Sequence, residues 1–258
     1  MKVAAIIQAR AGSTRLPGKI LKPILGSPML ARMLERVKRA ALLDAVIVAT
    51  TDTPADDAIV ELARDCGVQV SRGDEQDVLD RFYKAAKVAG ADIIVRLTGD
   101  CPLHDPFVID EMVQHFVTNT LDYSRATPTT YPEGLDTEVF TFAALERAWQ
   151  EATLPAEREH VTLYIRNHPE LFRSDGAWNS GDGGDYSGMH WSVDTQADLD
   201  FVTKVFEQLY PANPSFTKDD VLTLLAQHPE LLEIHRGGTG YEGLEKSLKE
   251  DKSFKKEK

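Results

Sequence analysis

The sequence predicts an α/β fold whose core is a mostly parallel, doubly wound, Rossmann-like sheet. One observation and one general rule lead to this fold class. Short apolar runs rich in β-branched residues, typical of buried strands, alternate with longer segments whose apolar residues recur at helical spacing. Strands joined through helices run parallel and carry helices on both faces of their sheet. We place the strands at residues 4–7, 45–50, 68–70 and 92–97.

Capping and stop signals place the helices that follow these strands. Ser27 is a candidate N-cap, Pro28 suits the first helical position, and an apolar face at helical spacing comes next. Gly67 and Gly90 are typical stops for the second and third helices. These two helices and the fourth are expected over about 54–66, 75–89 and 106–117.

From about residue 122 the alternation of strands and helices changes. The segments expected there are extended chain over 122–142, helices over 142–152 and 156–167, a glycine-rich loop over 176–188, and helices over 195–210 and after Thr217. We interpret residues 122–190 as an insertion that shapes a substrate pocket or a dimer contact. The predicted organisation is one domain over residues 1–236 and a mobile tail over 237–258, which is rich in Gly and then in Lys and Glu.

Composition and charge argue against several classes of function. The net charge of −12 disfavours nonspecific binding to nucleic acid or to an anionic membrane. The chain has no apolar run approaching the roughly 18 residues of a membrane-spanning helix, and its first residues lack the pattern of a signal peptide. The two cysteines, Cys66 and Cys101, have no metal-ligand spacing. A reduced, cytoplasmic protein is therefore expected.

Positive charge is concentrated at the beginning of the chain. Residues 1–39 contain nine Lys or Arg and one acid, which gives them a net charge of +8. Because the whole chain has a net charge of −12, the remaining residues have a net charge of −20. A basic segment in an acidic protein favours a local anion site over a basic surface. We interpret the cations from Arg32 to Arg39 as the solvated face of a helix, which leaves the cations of the preceding loop for an anion.

The loop after the first strand has the chemistry of a polyphosphate site. Arg10, Arg15 and Lys19 supply charged donors, and Gly12 followed by Ser13 allows backbone amides to approach an anion. A Walker A loop is excluded, because it has one residue fewer between its glycines and a hydroxyl residue after its lysine. This loop also lacks the Gly-x-Gly-x-x-Gly pattern that follows the first strand of dinucleotide-binding proteins.

Polar residues follow three of the predicted strands: the cationic loop, Thr51-Asp52 and Asp100. Because ligands of parallel sheets lie at the carboxyl ends of the strands, we expect these residues at one site. Asp100 and Asp194 are candidate ligands of Mg²⁺, which takes one or two protein carboxylates and completes its shell with phosphate oxygens and water. For Asp194 the residues alone favour a helix cap instead, since a predicted helix follows it.

Several segments closely resemble the sugar-acid cytidylyltransferases, which include the CTP-dependent synthetases of CMP-Kdo and CMP-sialic-acid-type sugars and the spore-coat polysaccharide cytidylyltransferases. The most specific segment is residues 6–19 (IIQARAGSTRLPGK). In family order there follow residues 48–52 (VATTD), 99–103 (GDCPL) and 191–199 (WSVDTQADL), while 132–138 (PEGLDTE) and 157–162 (EREHVT) look most like the spore-coat subgroup. The resemblance extends from residue 1 to about residue 210.

This resemblance implies a nucleotidyltransferase domain with a protruding dimerisation element, and hence a homodimer. It implies transfer of CMP from CTP to a small acidic acceptor, with release of pyrophosphate and with Mg²⁺ as the cofactor. The implied nucleotide-binding residues are Ala9, Arg10, Gly12, Ser13, Arg15, Lys19 and Gln76. Lys19 and Arg15 would be the catalytic residues, with Asp100 and Asp194 as metal ligands.

The acceptor is the open part of the prediction. The candidate acceptor-binding residues are Tyr131, Glu133, Asp136 and His160. Two acceptor classes stay open: a nonulosonic-type sugar acid for surface polysaccharide or glycan biosynthesis, and a smaller phosphate or phosphonate. Two other functions are disfavoured. A glycosyltransferase of related fold would need an Asp-x-Asp pair at a strand end, which is absent here, and a noncatalytic nucleotide-binding protein would not need Lys19 and both aspartates.

Overall fold

The computed structural model describes residues 1–126, 130–176, 178, 184–186, 188–234 and 251. The tail predicted over 237–258 therefore lies outside the described residues, apart from Asp251, and so does part of the predicted glycine-rich loop.

The strands form one six-stranded sheet and one short hairpin. The strands are β1 (Val3–Gln8), β2 (Pro23–Ile24), β3 (Ser27–Pro28), β4 (Ala45–Thr51), β5 (Gln69–Gly73), β6 (Ile93–Thr98), β7 (Tyr123–Arg125) and β8 (Glu138–Thr141). The sheet has the order β5-β4-β1-β6-β8-β7, and β2 pairs with β3 in the hairpin. Strands β5, β4, β1 and β6 run parallel, whereas β8 is antiparallel to both β6 and β7. The four predicted strands and the mostly parallel sheet are confirmed.

The helices cover both faces of this sheet. They are α1 (Met29–Val37), α2 (Asp57–Asp65), α3 (Val78–Ala89), α4 (Pro106–Thr118), α5 (Phe142–Glu151), α6 (Pro155–Glu159), α7 (Leu163–Asn167), α8 (Gln196–Leu209) and α9 (Lys218–Gln227). Short 3-10 helices lie at Lys19–Leu21, Pro54–Asp56, Pro169–Leu171 and Pro229–Glu233. No helix in the described part of the chain combines the length and the apolar character that crossing a membrane requires.

Alternate residues of the central strands point into two separate cores. Ala5 and Ile7 of β1 pack with α1, α2, α4, α8 and α9, whereas Ala4 and Ile6 pack with α3, α5 and α7. This is the period-two alternation of a strand that is buried on both faces. The doubly wound arrangement predicted from the sequence is therefore confirmed.

Three helix boundaries differ from the prediction. Ser27 does not cap α1 with its side chain; it pairs with Ile24 in the hairpin, and Pro28 is the N-cap. The third helix begins at Val78 instead of residue 75, because the Asp74 carboxylate accepts hydrogen bonds from the next amides and forms a turn. The helix expected over 156–167 is divided into α6 and α7.

Two arginines of α1 are buried, which corrects the prediction of a solvated basic face. Arg32 donates to the carbonyls of Ile24 and Leu25, and Arg36, only 2% exposed, donates to those of Leu103 and His104. Their guanidinium groups satisfy carbonyl groups of neighbouring turns, so part of the basic charge in residues 1–39 supports the fold. This leaves the loop cations as the better candidates for binding an anion.

The region from 122 to 190 contributes directly to the main sheet. The extended segments expected there include β7 and β8, which continue the sheet beyond β6; β8 runs opposite to β6, and β7 runs opposite to β8. The edge of the sheet next to β6 is thus antiparallel, while the half that includes β1, β4 and β5 is parallel. The candidate site lies at the carboxyl ends of the parallel strands, where these two halves meet.

Candidate active site

The predicted convergence of three strand ends is confirmed. The amide of Ala9 donates to the carbonyl of Ala49 (3.1 Å), and the amide of Gly99 donates to that of Gln8 (2.8 Å). A Cβ atom on Gly99 would lie only 3.0 Å from the Gln8 carbonyl oxygen, so a glycine allows β1 and β6 to continue side by side past their last ladder bonds. The residues that follow β1, β4 and β6 therefore occupy one edge of the sheet.

The cationic loop closes on itself. The carbonyl of Ala11 accepts hydrogen bonds from the amides of Ser13 (2.9 Å) and Gly18 (3.3 Å), and the Ser13 hydroxyl accepts one from the amide of Leu16 (3.3 Å). Gly18 has a positive φ of 63°, a conformation that glycine adopts without strain, and the 3-10 helix carrying Lys19 begins there. The folded loop turns Lys19 inward and leaves Arg10, Gly12 and Arg15 exposed.

Asp56 anchors this loop to β4. Its carboxylate accepts hydrogen bonds from the amide of Ala11 (2.7 Å), the hydroxyl of Thr50 (2.9 Å) and both the amide and the hydroxyl of Thr51. Burial of Asp56 raises the pKa of its carboxyl group, but the bonds from Thr51, Ala11 and Thr50 outweigh it, and the net shift is downward. The sequence prediction missed this residue; its only signal was a carboxylate shortly after the Thr51-Asp52 strand end.

Lys19 connects the two predicted metal-binding aspartates. Its Nζ atom lies 2.8 Å from Asp100 Oδ2, 3.0 Å from Asp194 Oδ1 and 2.7 Å from the carbonyl oxygen of Val193. The lysine side chain is only 11% exposed. Burial lowers the pKa of its ammonium group, but Asp100 and Asp194 outweigh that effect and raise it overall. Lys19 is therefore held in its charged form at the centre of the site.

Asp100 and Asp194 are held in place by different structural features. Asp100 lies two residues after the end of β6. Burial raises the pKa of its carboxyl group, but the charge and hydrogen bond of Lys19 outweigh burial and hold that pKa below the usual range. Asp194 precedes α8, but the N-cap is Thr195, whose hydroxyl accepts from the amide of Asp198. The carboxylate of Asp194 instead contacts Lys19 and Arg15, the latter at 2.9 Å. The interpretation of Asp194 as a helix cap is therefore wrong.

The oxygen atoms around Lys19 Nζ could also serve as ligands of a divalent cation. Three oxygen atoms, from Asp100, Asp194 and the Val193 carbonyl, converge on this one cationic atom. Oxygen ligands of this kind suit Mg²⁺, which needs few protein ligands when phosphate and water complete its shell. Within the described residues, no group of three or more His, Cys, Asp or Glu side chains forms a candidate metal site. The fit to Mg²⁺ rests on the two carboxylates of Asp100 and Asp194, which face the same point.

Two further residues predicted to bind the nucleotide, Arg10 and Gln76, lie at the other side of the loop. Arg10 forms an ion pair with Glu75 (3.3 Å), in which both side chains are about half exposed. Glu75 Oε1 lies 3.7 Å from the position that a Cβ atom on Gly12 would take. Gln76 follows Glu75 in the exposed turn between β5 and α3. The structure thus places this turn against the cationic loop.

Two of the predicted acceptor-binding residues lie near the aspartates. Glu133 accepts a hydrogen bond from the hydroxyl of Ser192 (2.9 Å) and contacts His190. Asp136 accepts one from the amide of Gly134 (2.9 Å). Burial, reinforced by Glu133 and Glu138, raises the pKa of Asp136 to about 7.

A glycine brings this segment against the chain that leads to Asp194. Gly134 has a φ of 101°, and a Cβ atom there would lie 2.6 Å from the amide nitrogen of Ser192. The pairing continues at Glu133, which exchanges main-chain bonds with Met189 and Trp191. The close approach requires glycine and fixes the two segments together.

The structure does not bring the other two acceptor candidates into this group. Tyr131 is 2% exposed and donates its hydroxyl to Glu111 Oε2 of α4 (2.7 Å). An acceptor could contact the Tyr131 side chain only if the residues packed around it moved. His160 ends α6, and its side chain lies 3.8 Å from Glu159. Burial lowers the pKa of its imidazole.

A buried ionic cluster at the antiparallel edge was also missed from the sequence. Glu138 contacts Arg96 and accepts hydrogen bonds from the hydroxyls of Tyr123 and Thr162, both at 2.6 Å. Arg96 also donates to the Gln8 side chain (3.0 Å). Burial alone would raise the pKa of Glu138, but Arg96 and the hydroxyl donors lower it to about 2. This cluster ties the two segments that resemble the spore-coat subgroup, 132–138 and 157–162, to the end of β1.

Comparisons with known proteins agree with this arrangement. A family model described as cytidylyltransferase matches residues 4–232. The spore coat polysaccharide biosynthesis protein SpsF of Bacillus subtilis is 34% identical over 230 residues, which cover 87% of this chain and 94% of SpsF. A 3-deoxy-manno-octulosonate cytidylyltransferase of Geobacter sulfurreducens is 41% identical over 121 residues, which cover 46% of this chain and 47% of that enzyme.

A solved structure extends the likeness to the fold. A cytidylyltransferase from Leptospira borgpetersenii has a TM-score of 0.85 and 35% identity to this protein, and the alignment covers 92% of this chain and 99% of the other. The family match includes the cationic loop, Lys19 and both aspartates. This chain therefore belongs to the cytidylyltransferase family.

Proposed function

We propose that this cytidylyltransferase moves CMP from CTP to a nonulosonic-type sugar acid and releases pyrophosphate. The observation that carries the proposal is the convergence of Asp100, Asp194 and Arg15 around Lys19, next to a loop with exposed cations and a glycine. A triphosphate and its counter-ion need both features together.

In this proposal the donor half of the reaction is electrostatic. An acceptor hydroxyl oxygen attacks the α-phosphorus of CTP and the new O–P bond forms. The bond between the α-phosphorus and the bridging oxygen of pyrophosphate breaks, and the hydroxyl proton passes to solvent water. Arg10, Arg15 and Lys19 neutralise the negative charge that develops on the phosphoryl and leaving oxygens. No covalent enzyme intermediate is required. The loop acts by positioning the triphosphate and by stabilising the negative charge that develops in the transition state.

Mg²⁺ is the proposed cofactor, with Asp100 and Asp194 as its protein ligands. When bound, the ion supplies positive charge to the triphosphate in addition to that of the side chains. Ala9, Gly12, Ser13 and Gln76 are proposed to complete the nucleotide site.

The sugar-acid acceptor is supported by two relatives. One is named for spore coat polysaccharide biosynthesis and the other for cytidylyl transfer to 3-deoxy-manno-octulosonate. Glu133 and Asp136 are the acceptor-binding residues we favour, because both lie beside the segments that carry the aspartates. Their position suits recognition of acceptor hydroxyl groups. We therefore rank a sugar acid before a phosphate or phosphonate acceptor.

A pyrophosphate-release assay tests the proposal. The protein is incubated with CTP, Mg²⁺ and a panel of nonulosonic acids, 3-deoxy-manno-octulosonate, sugar phosphates and phosphonates, and products are identified by mass spectrometry. We expect CMP-sugar formation with a sugar acid. Turnover with phosphate or phosphonate compounds alone would establish the other acceptor class, and no pyrophosphate with any acceptor, despite CTP binding, would contradict the transferase proposal.

The oligomeric state is a separate part of the proposal. We infer a homodimer from the family resemblance, with residues 122–190 as the region to test for the contact. Light scattering after size-exclusion chromatography should give twice the 28.6 kDa chain mass. A monomer at assay concentration would contradict this inference without affecting the proposed reaction.

A further inference from the structure

Asp198 holds the main chain of Asp194, one of the two proposed metal ligands. Its Oδ2 atom accepts hydrogen bonds from the amide of Asp194 (3.0 Å), the amide of Thr195 (2.7 Å) and the hydroxyl of Thr195 (2.9 Å). Asp198 is buried, so water has little access to these bonds. The carboxylate therefore fixes the backbone of Asp194 against the first turn of α8.

Part of this arrangement is an ordinary capping box. Thr195 is the N-cap of α8, its hydroxyl accepts from the amide of Asp198, and the Asp198 carboxylate accepts from the amide of Thr195. The bond from the amide of Asp194 is not part of a capping box, because Asp194 precedes the N-cap. This additional bond ties a residue outside the helix to the helix itself.

The start of α9 shows a capping box without the additional bond. Thr217 is the N-cap there, and Asp220 Oδ2 accepts from its amide (2.7 Å) and its hydroxyl (3.1 Å). Phe216 occupies the position that Asp194 has at α8, but its amide donates to the carbonyl of Asn213 (3.1 Å). The hold on the preceding residue is therefore what distinguishes Asp198 from Asp220.

A fixed main chain limits where the Asp194 carboxylate can lie. An aspartate side chain has few rotatable bonds, so its oxygen atoms stay within a small region once the backbone is held. Asp194 Oδ1 lies 2.9 Å from a guanidinium nitrogen of Arg15 and 3.0 Å from Lys19 Nζ. A side chain that is already directed into the site loses little conformational freedom when a ligand binds.

His190 supports Asp198 from the side of the acceptor candidates. Its imidazole contacts Glu133 through Nδ1, and its Nε2 atom lies 3.9 Å from Asp198 Oδ2. Burial lowers the pKa of His190, but Glu133, Asp198 and Asp194 outweigh burial and raise that pKa overall, which favours the charged form. A cationic imidazole between the two carboxylates reduces the cost of burying Asp198.

We propose that Asp198 is a positioning residue for the metal site and holds Asp194 in the orientation in which it binds Mg²⁺ together with Asp100. This inference rests on the proposed function, which uses Mg²⁺ and CTP. Asp198 acts through the backbone of Asp194, because its Oδ2 atom is bound by three donors of the chain. The role requires an acceptor oxygen at this place more than it requires a negative charge.

Binding of CTP with and without the metal tests this role without an acceptor. Isothermal titration calorimetry with CTP is carried out in Mg²⁺ and in EDTA. The ratio of the dissociation constant in EDTA to that in Mg²⁺ measures the contribution of the metal. We expect Asp198→Ala to lower this ratio about tenfold or more, as for other groups that orient a metal ligand, while CTP affinity in EDTA is retained. Asp198→Asn keeps an acceptor oxygen and should retain most of the ratio.

Asp220→Ala is the matched control, because it removes the same kind of capping box from α9 without freeing a proposed metal ligand. Both alanine variants should melt at a lower temperature than the wild type, but only Asp198→Ala should change the ratio. A wild-type ratio in Asp198→Ala, or an equal loss in Asp220→Ala, would overturn the positioning role. So would a loss in Asp198→Asn as large as that in Asp198→Ala.

Failure of the proposed function would give a different result. Equal CTP affinity of the wild type in Mg²⁺ and in EDTA would contradict the proposed cofactor, and this inference with it. A ratio that depends on Asp198 as expected, without transfer of CMP to any acceptor, would count against the proposed reaction alone.

Discussion

The main-chain amide of Val193 donates to the main-chain carbonyl of Asp100 at 2.8 Å. This bond joins the end of β6 to the segment that precedes α8, so the backbone brings Asp100 and Asp194 together. Lys19 then lies between two carboxylates whose positions are already fixed. The geometry of the site is therefore expected to survive the loss of the lysine.

Substitution of Lys19 should separate catalysis from folding. Lys19→Met keeps the length of the side chain and removes its charge, so we expect pyrophosphate release to fall roughly 10²–10³-fold, as for loss of one electrostatic donor in other active sites. The far-ultraviolet circular dichroism spectrum should be unchanged. Lys204→Met, at an exposed position of α8, serves as the control. Near-normal turnover of Lys19→Met would remove the lysine from the catalytic group.

Substitution of Asp100 should change the magnesium requirement. Asp100→Asn removes the charge from one of the two proposed ligands, and we expect the Mg²⁺ concentration for half-maximal rate to rise by at least about tenfold. Asp92→Asn lies just before the other end of β6 and is 62% exposed, so it should leave the titration unchanged. Overlapping magnesium titrations for wild type and Asp100→Asn would exclude Asp100 as a ligand.

Gly134→Ala should lower the stability of the folded protein. The added methyl group would lie 2.6 Å from the amide of Ser192 in a backbone with φ of 101°, so strain and a steric clash combine. We expect a loss of roughly 3 kcal/mol or more in the free energy of unfolding, measured by urea denaturation. Gly90→Ala also has a positive φ but meets no atom within 4 Å, and should lose only about 1 kcal/mol. Equal losses would show that the clash is absent.

Asp136 should make stability fall with rising pH. Its pKa is raised from 3.8 to about 7 in the folded protein, so folding takes up a proton between these values. The contribution of Asp136 is complete below about pH 4 and is lost as pH rises through 7, an upper limit of about 4 kcal/mol.

The matched variants show this contribution as a difference. We expect Asp136→Asn to become more stable relative to the wild type between pH 5 and pH 8, as followed by urea denaturation. Asp65→Asn, at an exposed position near the end of α2, should show no such trend. A pH-independent difference between Asp136→Asn and the wild type would contradict the raised pKa.

The donor half of the site was predictable because its signals are local. A buried strand followed by Arg10, Gly12, Arg15, Gly18 and Lys19 defines the loop within a short stretch of sequence. Parallel strands place their carboxyl ends at one edge, which explains why the position of Asp100 could be predicted as well. The loop conformation, however, depends on Asp56, and a single carboxylate near a helix start gives no indication of that role.

The part of the candidate site beyond the cationic loop was less predictable because long-range pairing creates it. Asp194 resembles a helix-capping residue until the bond between Val193 and Asp100 is known. Tyr131 looks like a polar aromatic in an extended segment, yet packing against α4 buries it. The Arg96–Glu138 pair depends on antiparallel addition of β8 to β6, which no periodicity in either segment encodes.

Asp56 has a consequence for how tightly the proposed site would bind a nucleotide. Because its carboxylate ties Ala11 to Thr50 and Thr51, the loop takes its shape during folding and has little conformational freedom left to lose when a ligand arrives. The loop is preorganised by a residue that need not contact the nucleotide. Variation at Asp56 would then weaken nucleotide affinity without altering the chemistry of the groups that are proposed to bind the phosphates.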